Sequence, residues 1–215
     1  MNFFTYLFAA AVILMGNMAY ATPITIYNTG VDDSGNLTTL NTADSHYSLL
    51  DPSASLVTAN AAGDGHPAWV EPVTNGRDAQ WITPGGSIGN VSFPYWTYTT
   101  TFDLTGLDAS TAIISGEWSS DNGGEIFLNG VTTGITTGIR AFEAYNDFSL
   151  SSGFFDGMNE LTFRVFNAEN RFSPSGLLVD FTSATADPVP EPATMLLFGT
   201  GLVGLAAARL RRKKK

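Results

Sequence analysis

Trp96-Thr97-Tyr98-Thr99-Thr100-Thr101-Phe102-Asp103-Leu104 puts Trp96, Tyr98, Phe102 and Leu104 on one side of an extended chain and Thr or Asp on the other. Apolar residues at every second position are the mark of a strand with one face buried and one wet. Working outward, Thr111–Ser119 repeats the pattern with Ile114 and Trp118 on one face, and Asp121-Asn122-Gly123-Gly124 reads as a turn. Glu125-Ile126-Phe127-Leu128 is a short buried-strand run, and Asn129-Gly130 is a strong two-residue hairpin signal. Phe142–Leu150, Leu161–Asn167 and Gly176–Thr182 read as three more strands.

Upstream the signal is weaker. Ile24-Thr25-Ile26-Tyr27 reads as a first strand, with short strands expected at Tyr47–Leu50, Leu56–Thr58, Ala68–Val70 and Ala79–Ile82. Pro72, Asn75-Gly76 and Pro84-Gly85-Gly86 punctuate them. The doublet Thr132-Thr133-Gly134-Ile135, Thr136-Thr137-Gly138-Ile139 has a period of four, which does not keep Thr on one strand face, and reads as a loop. No stretch of the body holds a helical apolar period for three turns. Many short strands with regular turns predict an all-β, antiparallel sandwich or jelly roll.

The ends have a different character. Residues 3–15 are apolar and lead through Gly16 to Ala19-Tyr20-Ala21, an A-x-A cleavage pattern, although no Lys or Arg precedes the apolar run. Residues 1–21 therefore read as a secretory signal peptide cut by signal peptidase after Ala21. At the other end, Pro190-Glu191-Pro192 precedes an uncharged run, Ala193–Ala208, and six cations, Arg209, Arg211, Arg212 and Lys213–Lys215. As a helix that run spans roughly 24 Å, short of a bilayer core of about 30 Å, with its basic end held on the cytoplasmic side. A transmembrane helix behind a turn and ahead of a basic stop has the logic of a removable sorting tail. Residues 22–187 are left as one β-sandwich domain.

Composition narrows the function. All twenty acids and only four cations lie in residues 1–192, a net charge of −16, and the body contains no lysine. Such a surface repels nucleic acid and anionic membranes and suits neutral glycans, cations or simple solubility. The chain has no cysteine, so disulfides, thiolate zinc sites and Cys catalysis are excluded.

Two resemblances follow. Pro190-Glu191-Pro192, the apolar run and the basic end resemble the PEP-CTERM sorting signal of Gram-negative bacteria. That implies recognition by an exosortase, cleavage near Pro190–Pro192, a transient membrane stage, and placement on the cell surface or in a biofilm matrix. Trp118–Gly130, Gly157-x-Asn159-x-Leu161-x-Phe163-x-Val165-x-Asn167 and Ser173–Leu177 resemble the strands of galactose-binding-like jelly rolls. This implies carbohydrate-binding, adhesive or structural roles, and room for a structural Ca²⁺ with ligands unnamed.

Sugar binding calls for aromatic rings to stack on pyranose faces and for polar side chains to bind hydroxyls. Trp69, Trp81, Tyr95 and Trp96 are the candidate platforms, and Asp121 and Asn122 the candidate polar partners for an extracellular polysaccharide. A core role for the same tryptophans is the competing reading. Asp32, Ser34 and Asn36 have part of a Ca²⁺-loop spacing, with the glycine misplaced. Glu117, Glu125, Glu143 and Glu160 could supply the carboxylate pair of a glycoside hydrolase, the alternative to a non-catalytic protein. Gly85-x-Ser87-x-Gly89 lacks a later His, and Gly199-x-Gly201-x-x-Gly204 lacks the strand and acid of a dinucleotide site, so neither carries chemistry.

Overall fold

The computed structural model describes residues 20–63, 65–72, 78–85, 94–167 and 173–189, together with 199–201, 204 and 209. The chain divides into two units, Ala21–Asp187 and the two ends together. The apolar run of the signal peptide, Ala19, Arg77, Ser87 and Pro190-Glu191-Pro192 lie outside the described residues. Residues 199–201, 204 and 209 are helical, and among the described residues no helix is long and apolar enough to cross a membrane.

The unit Ala21–Asp187 is all-β. Its strands are β1 (Thr22–Pro23), β2 (Ser48–Leu50), β3 (Leu56–Val57), β4 (Ala59–Gly63), β5 (Trp81–Pro84), β6 (Tyr95–Asp103), β7 (Ile113–Asp121), β8 (Gly123–Leu128), β9 (Val131–Thr137), β10 (Asn146–Leu150), β11 (Met158–Phe166) and β12 (Gly176–Ala186). They form two antiparallel sheets. The first runs β10-β7-β12-β5-β4, with β1 also on β12, and the second runs β3-β2-β6-β11-β8-β9. The only helical pieces among the described residues of this unit are 3₁₀ turns at Ala109–Thr111 and Ala141–Glu143.

Strand alternation builds the core between the sheets. From β6, Trp96, Tyr98 and Phe102 point inward; from β11, Leu161, Phe163 and Val165; from β7, Ile114 and Trp118. Rings from the two sheets meet there: Trp118 on Phe163 at 5.6 Å between centroids, and Phe148 on Phe163 at 6.2 Å, edge-on. Aromatic pairs at these separations add about 0.5–1.5 kcal/mol each beyond burial. The crowding needs glycine at 124, where a Cβ would stand 2.8 Å from the Trp118 ring and 3.0 Å from the Arg164 carbonyl oxygen.

The hairpin at Asn129-Gly130 is present, with φ of 51° and 76°, the left-handed pair that a type I′ turn requires. It joins β8 to β9, so the threonine doublet is a strand and not a loop. A bulge makes this possible. Glu125 and Phe127 of β8 pair with Thr136 and Thr132, and Gly134 at φ +76° absorbs the extra residues.

The turn expected at Asp121–Gly124 is instead a crossing, since β7 and β8 belong to different sheets. Only Thr22–Pro23 pairs as the first strand. Residues 24–29 still follow β12, through Ile24 N to Ala184 O at 2.9 Å and Thr29 N to Val179 O at 3.1 Å. There the Phe181 N–H is taken by the Asn28 side chain at 2.7 Å, which interrupts a backbone ladder. Residues 68–70 are a turn tied to the rest of the fold by Val70 N to Phe142 O at 2.7 Å, and the strand expected at 79–82 is displaced to Trp81–Pro84.

Candidate functional site

The outer side of the first sheet carries a second, smaller apolar layer. Trp69, Ala79, Trp81 and Leu178 are buried in it, with Phe142 and Tyr145 packed against them. Trp69 lies on Trp81 with ring centroids 4.2 Å apart. The Trp81 Nε1–H donates to Val70 O at 2.9 Å, and the Trp69 Nε1–H donates to Asp121 Oδ2 at 2.8 Å. The two rings are 6% and 0% exposed, and Trp96, in the main core, is 3% exposed. This corrects the reading of Trp69, Trp81 and Trp96 as stacking platforms: all three spend their faces on other side chains, and none is open to a pyranose. The physical reason is size. A ring that buries 150–250 Å² contributes most where a sandwich lacks filling.

Asp121 is a packing partner as well. It is buried, its second oxygen, Oδ1, has no hydrogen-bond partner among the described residues, and burial pushes its carboxyl up to about 6 against the opposing effects of the Trp69 hydrogen bond and the charge of His66. Asn122 is half-buried. Its N–H donates to Phe166 O at 2.7 Å and its carbonyl accepts from Ala141 N at 3.2 Å.

Tyr95 sits elsewhere, at the start of β6 and half-exposed on the outer face of the second sheet. Register defines its neighbours. Tyr95 faces Phe166, and Thr97 faces Arg164, which in turn faces Glu125; Thr99 faces Thr162, which in turn faces Phe127. The Arg164 guanidinium carbon lies 4.6 Å from the Phe127 ring centroid and 5.5 Å from that of Tyr95. Its Nε is buried and has no hydrogen-bond partner among the described residues. Glu125, directly across, accepts instead from Thr132 Oγ1 at 2.6 Å. The structure thus brings Tyr95 together with Arg164, Phe127 and a row of threonine hydroxyls, residues that sequence reading did not single out. The alternation Thr97-x-Thr99-x-Thr101 was the available signal for this face. Its pairing with Arg164 depends on a register that no local pattern encodes.

Register keeps Glu125 and Glu160 apart, and Glu117 and Glu143 lie on other elements. Glu117 is on the first sheet, and Glu143 is bound to Arg140. Glu125 faces Arg164, four residues along β11 from Glu160, which separates the two backbones by about 13 Å along the strand at about 3.3 Å per residue. A hydrolase pair needs about 5–10 Å. Asp32 Oδ1 accepts from Ser34 N, Asn36 N and Asn36 Nδ2, so this carboxylate oxygen closes its own turn. Among the described residues no three His, Asp or Glu side chains converge on a cation.

Comparison with known proteins adds the sorting end. Residues 188–213 match the PEP-CTERM protein-sorting motif. The chain therefore carries the recognition signal for exosortase processing and is an exported protein on a cell-envelope sorting route. No curated protein sequence matches the chain. Among solved structures, it is similar to a family 35 carbohydrate binding module from an environmental isolate, at 11% identity over 66% of this chain and 98% of that one, with a TM-score of 0.31. A β-glucosidase from Kluyveromyces marxianus in complex with glucose aligns at 11% identity over 77% of this chain and 18% of that one, with a TM-score of 0.26. At these scores the fold rests on the strand order itself, and the ligand on the geometry of the faces.

Proposed function

We propose that this is a non-catalytic surface or extracellular-matrix protein of a Gram-negative bacterium, whose jelly-roll body, of the galactose-binding-like kind, makes adhesive contacts with extracellular polysaccharide. The sorting motif at 188–213 carries the reading, because it begins where the unit Ala21–Asp187 ends. Signal peptidase cuts after Ala21, an exosortase cuts near Pro190–Pro192, and the apolar run holds the chain in the membrane between the two events. The body suits that destination. Without cysteine it is indifferent to the redox state outside the cytoplasm, and its lysine-free acidic surface keeps it soluble there.

Mass spectrometry of the protein recovered from the surface of producing cells tests the processing. The expected product begins at Thr22 and lacks Ala193–Lys215. Surface protein that retains Lys213–Lys215 would overturn it. Turnover of a polysaccharide, abolished by a single Glu→Gln change, would overturn the non-catalytic part.

A further inference from the structure

The body's outer surfaces are not equivalent. On the first sheet the Trp69–Trp81 layer covers the part of the outer face around Trp81 and Leu178 and leaves Ser115, Glu117 and Thr182 accessible. Among the described residues the outer face of the second sheet carries no such layer, and it holds a cation that pairs with no carboxylate among them. Arg164 lies against Phe127 and Tyr95, its Nε is buried and unbonded, and among the described residues no carboxylate pairs with it although Glu125 stands directly across. In a chain with twenty acids and four cations outside its tail, an arginine left unpaired by its cross-strand acid is an exception that the fold does not explain.

We propose that this face, centred on Arg164, is the binding site for an uncharged polysaccharide lying across β6, β11 and β8. The inference rests on the glycan-contact reading above and gives it a location. Three observations fit this ligand.

The first is the mix of groups. Thr97, Arg164 and Glu125 follow one another across three strands, at steps of about 4.8 Å. They offer a hydroxyl, the terminal N–H groups of a guanidinium and a carboxylate acceptor. A sugar hydroxyl both donates and accepts, so it can use all three. The half-exposed edges of Tyr95 and Phe127 supply the apolar contact.

The second is charge. Glu125 and Glu160 share the face with Arg164, and residues 1–192 carry −16, so a polyanion meets repulsion that a neutral chain does not. The third is shape. The next row, Thr162–Thr99–Ser48, runs into a hollow of about 440 Å³ lined by Ser48, Leu56, Thr99 and Thr101, so the face continues past its centre into a groove. A peptide adding as a strand is disfavoured, because β6, β11 and β8 each have a neighbour on both sides and no backbone edge to offer.

The test uses the full chain in mild detergent, run in affinity gels cast with xylan, barley β-glucan, galactomannan or alginate. Retardation by at least one of the three neutral polymers is expected. Arg164→Ala should weaken it about tenfold or more, the scale of one charge-assisted hydrogen bond. Arg164→Lys should recover only part, since the charge returns without the fork. Thr97→Val, a surface change with little effect on folding, provides an independent check and should also weaken binding, with Tm unchanged for all three variants. Retardation of wild type that none of these changes alters would overturn this site and leave the glycan-contact reading standing. Retardation by alginate alone would overturn the uncharged ligand. No retardation in any gel would overturn both the site and the reading on which it rests.

Discussion

Replacing Asp121 by Asn should stabilise the protein at neutral pH and leave it unchanged in acid. Asp121 is 4% exposed, Oδ2 holds the Trp69 indole at 2.8 Å, and Oδ1 has no hydrogen-bond partner among the described residues. Burial raises its carboxyl from 3.8 to about 6. The sign follows from linkage: a carboxyl whose folded value is raised is most compatible with the fold when protonated. Its contribution is fully present below about pH 4, the unfolded value, and is lost as pH climbs through about 6. A rise of about two units corresponds to roughly 3 kcal/mol at 1.36 kcal/mol per unit. Asn keeps an oxygen for Trp69 and cannot ionise. The difference in stability between D121N and wild type should therefore be near zero at pH 4 and reach about 2–3 kcal/mol by pH 7.5, a gain of about 5–10 °C in Tm for a domain of this size.

The difference is the quantity to follow, because other carboxylates also titrate. Asp32, Asp51, Asp103 and Asp108 are held below their ordinary value by hydrogen bonds within their own turns. Their contributions are present above the unfolded value, are lost as pH falls, and cancel between the two proteins. Thermal melts of both chains from pH 4 to 7.5, followed by tryptophan fluorescence, measure it. Parallel profiles, or a D121N protein less stable at pH 7.5, would refute the reasoning and point to an unrecognised partner for the charged carboxylate.

Two further substitutions test the packing. Gly176→Ala would place a Cβ 2.7 Å from the Trp69 ring and 3.2 Å from that of Trp81. Both rings are pinned by their Nε1 hydrogen bonds, so a loss of about 2–3 kcal/mol and a red-shifted tryptophan emission are expected; an unchanged Tm would show that the layer yields. Asn159→Ala removes a buried amide that donates to Phe155 O and Gly157 O and accepts from Phe155 N and Asn129 Nδ2, each at 2.8 Å. Leaving those groups unpaired should cost about 3 kcal/mol, read as a shift in the urea midpoint, and a loss under 1 kcal/mol would mean that water replaces the side chain.

Local pattern in the sequence carried a good deal of this protein. The alternation at Trp96–Leu104 and Thr111–Ser119 identified the inward faces of β6 and β7, and Asn129-Gly130 identified its hairpin, because strand period and turn chemistry act over a few residues. The sorting motif was legible for the same reason: its turn, apolar run and cations are contiguous in the chain. What the sequence left open was set by contacts between distant segments. Trp69 and Trp81 are core because Asp121, Val70 and Gly176 close around them, and aromatic content alone is equally compatible with a surface ring. The threonine doublet became β9 because a bulge at Gly134 reconciled its period with β8. Arg164 acquired its meaning only from the register of three strands, which places it between Phe127 and Tyr95 and opposite a glutamate that bonds elsewhere. Register is chosen by the packing of the whole sheet, so which side chains meet on the outer face is decided in three dimensions.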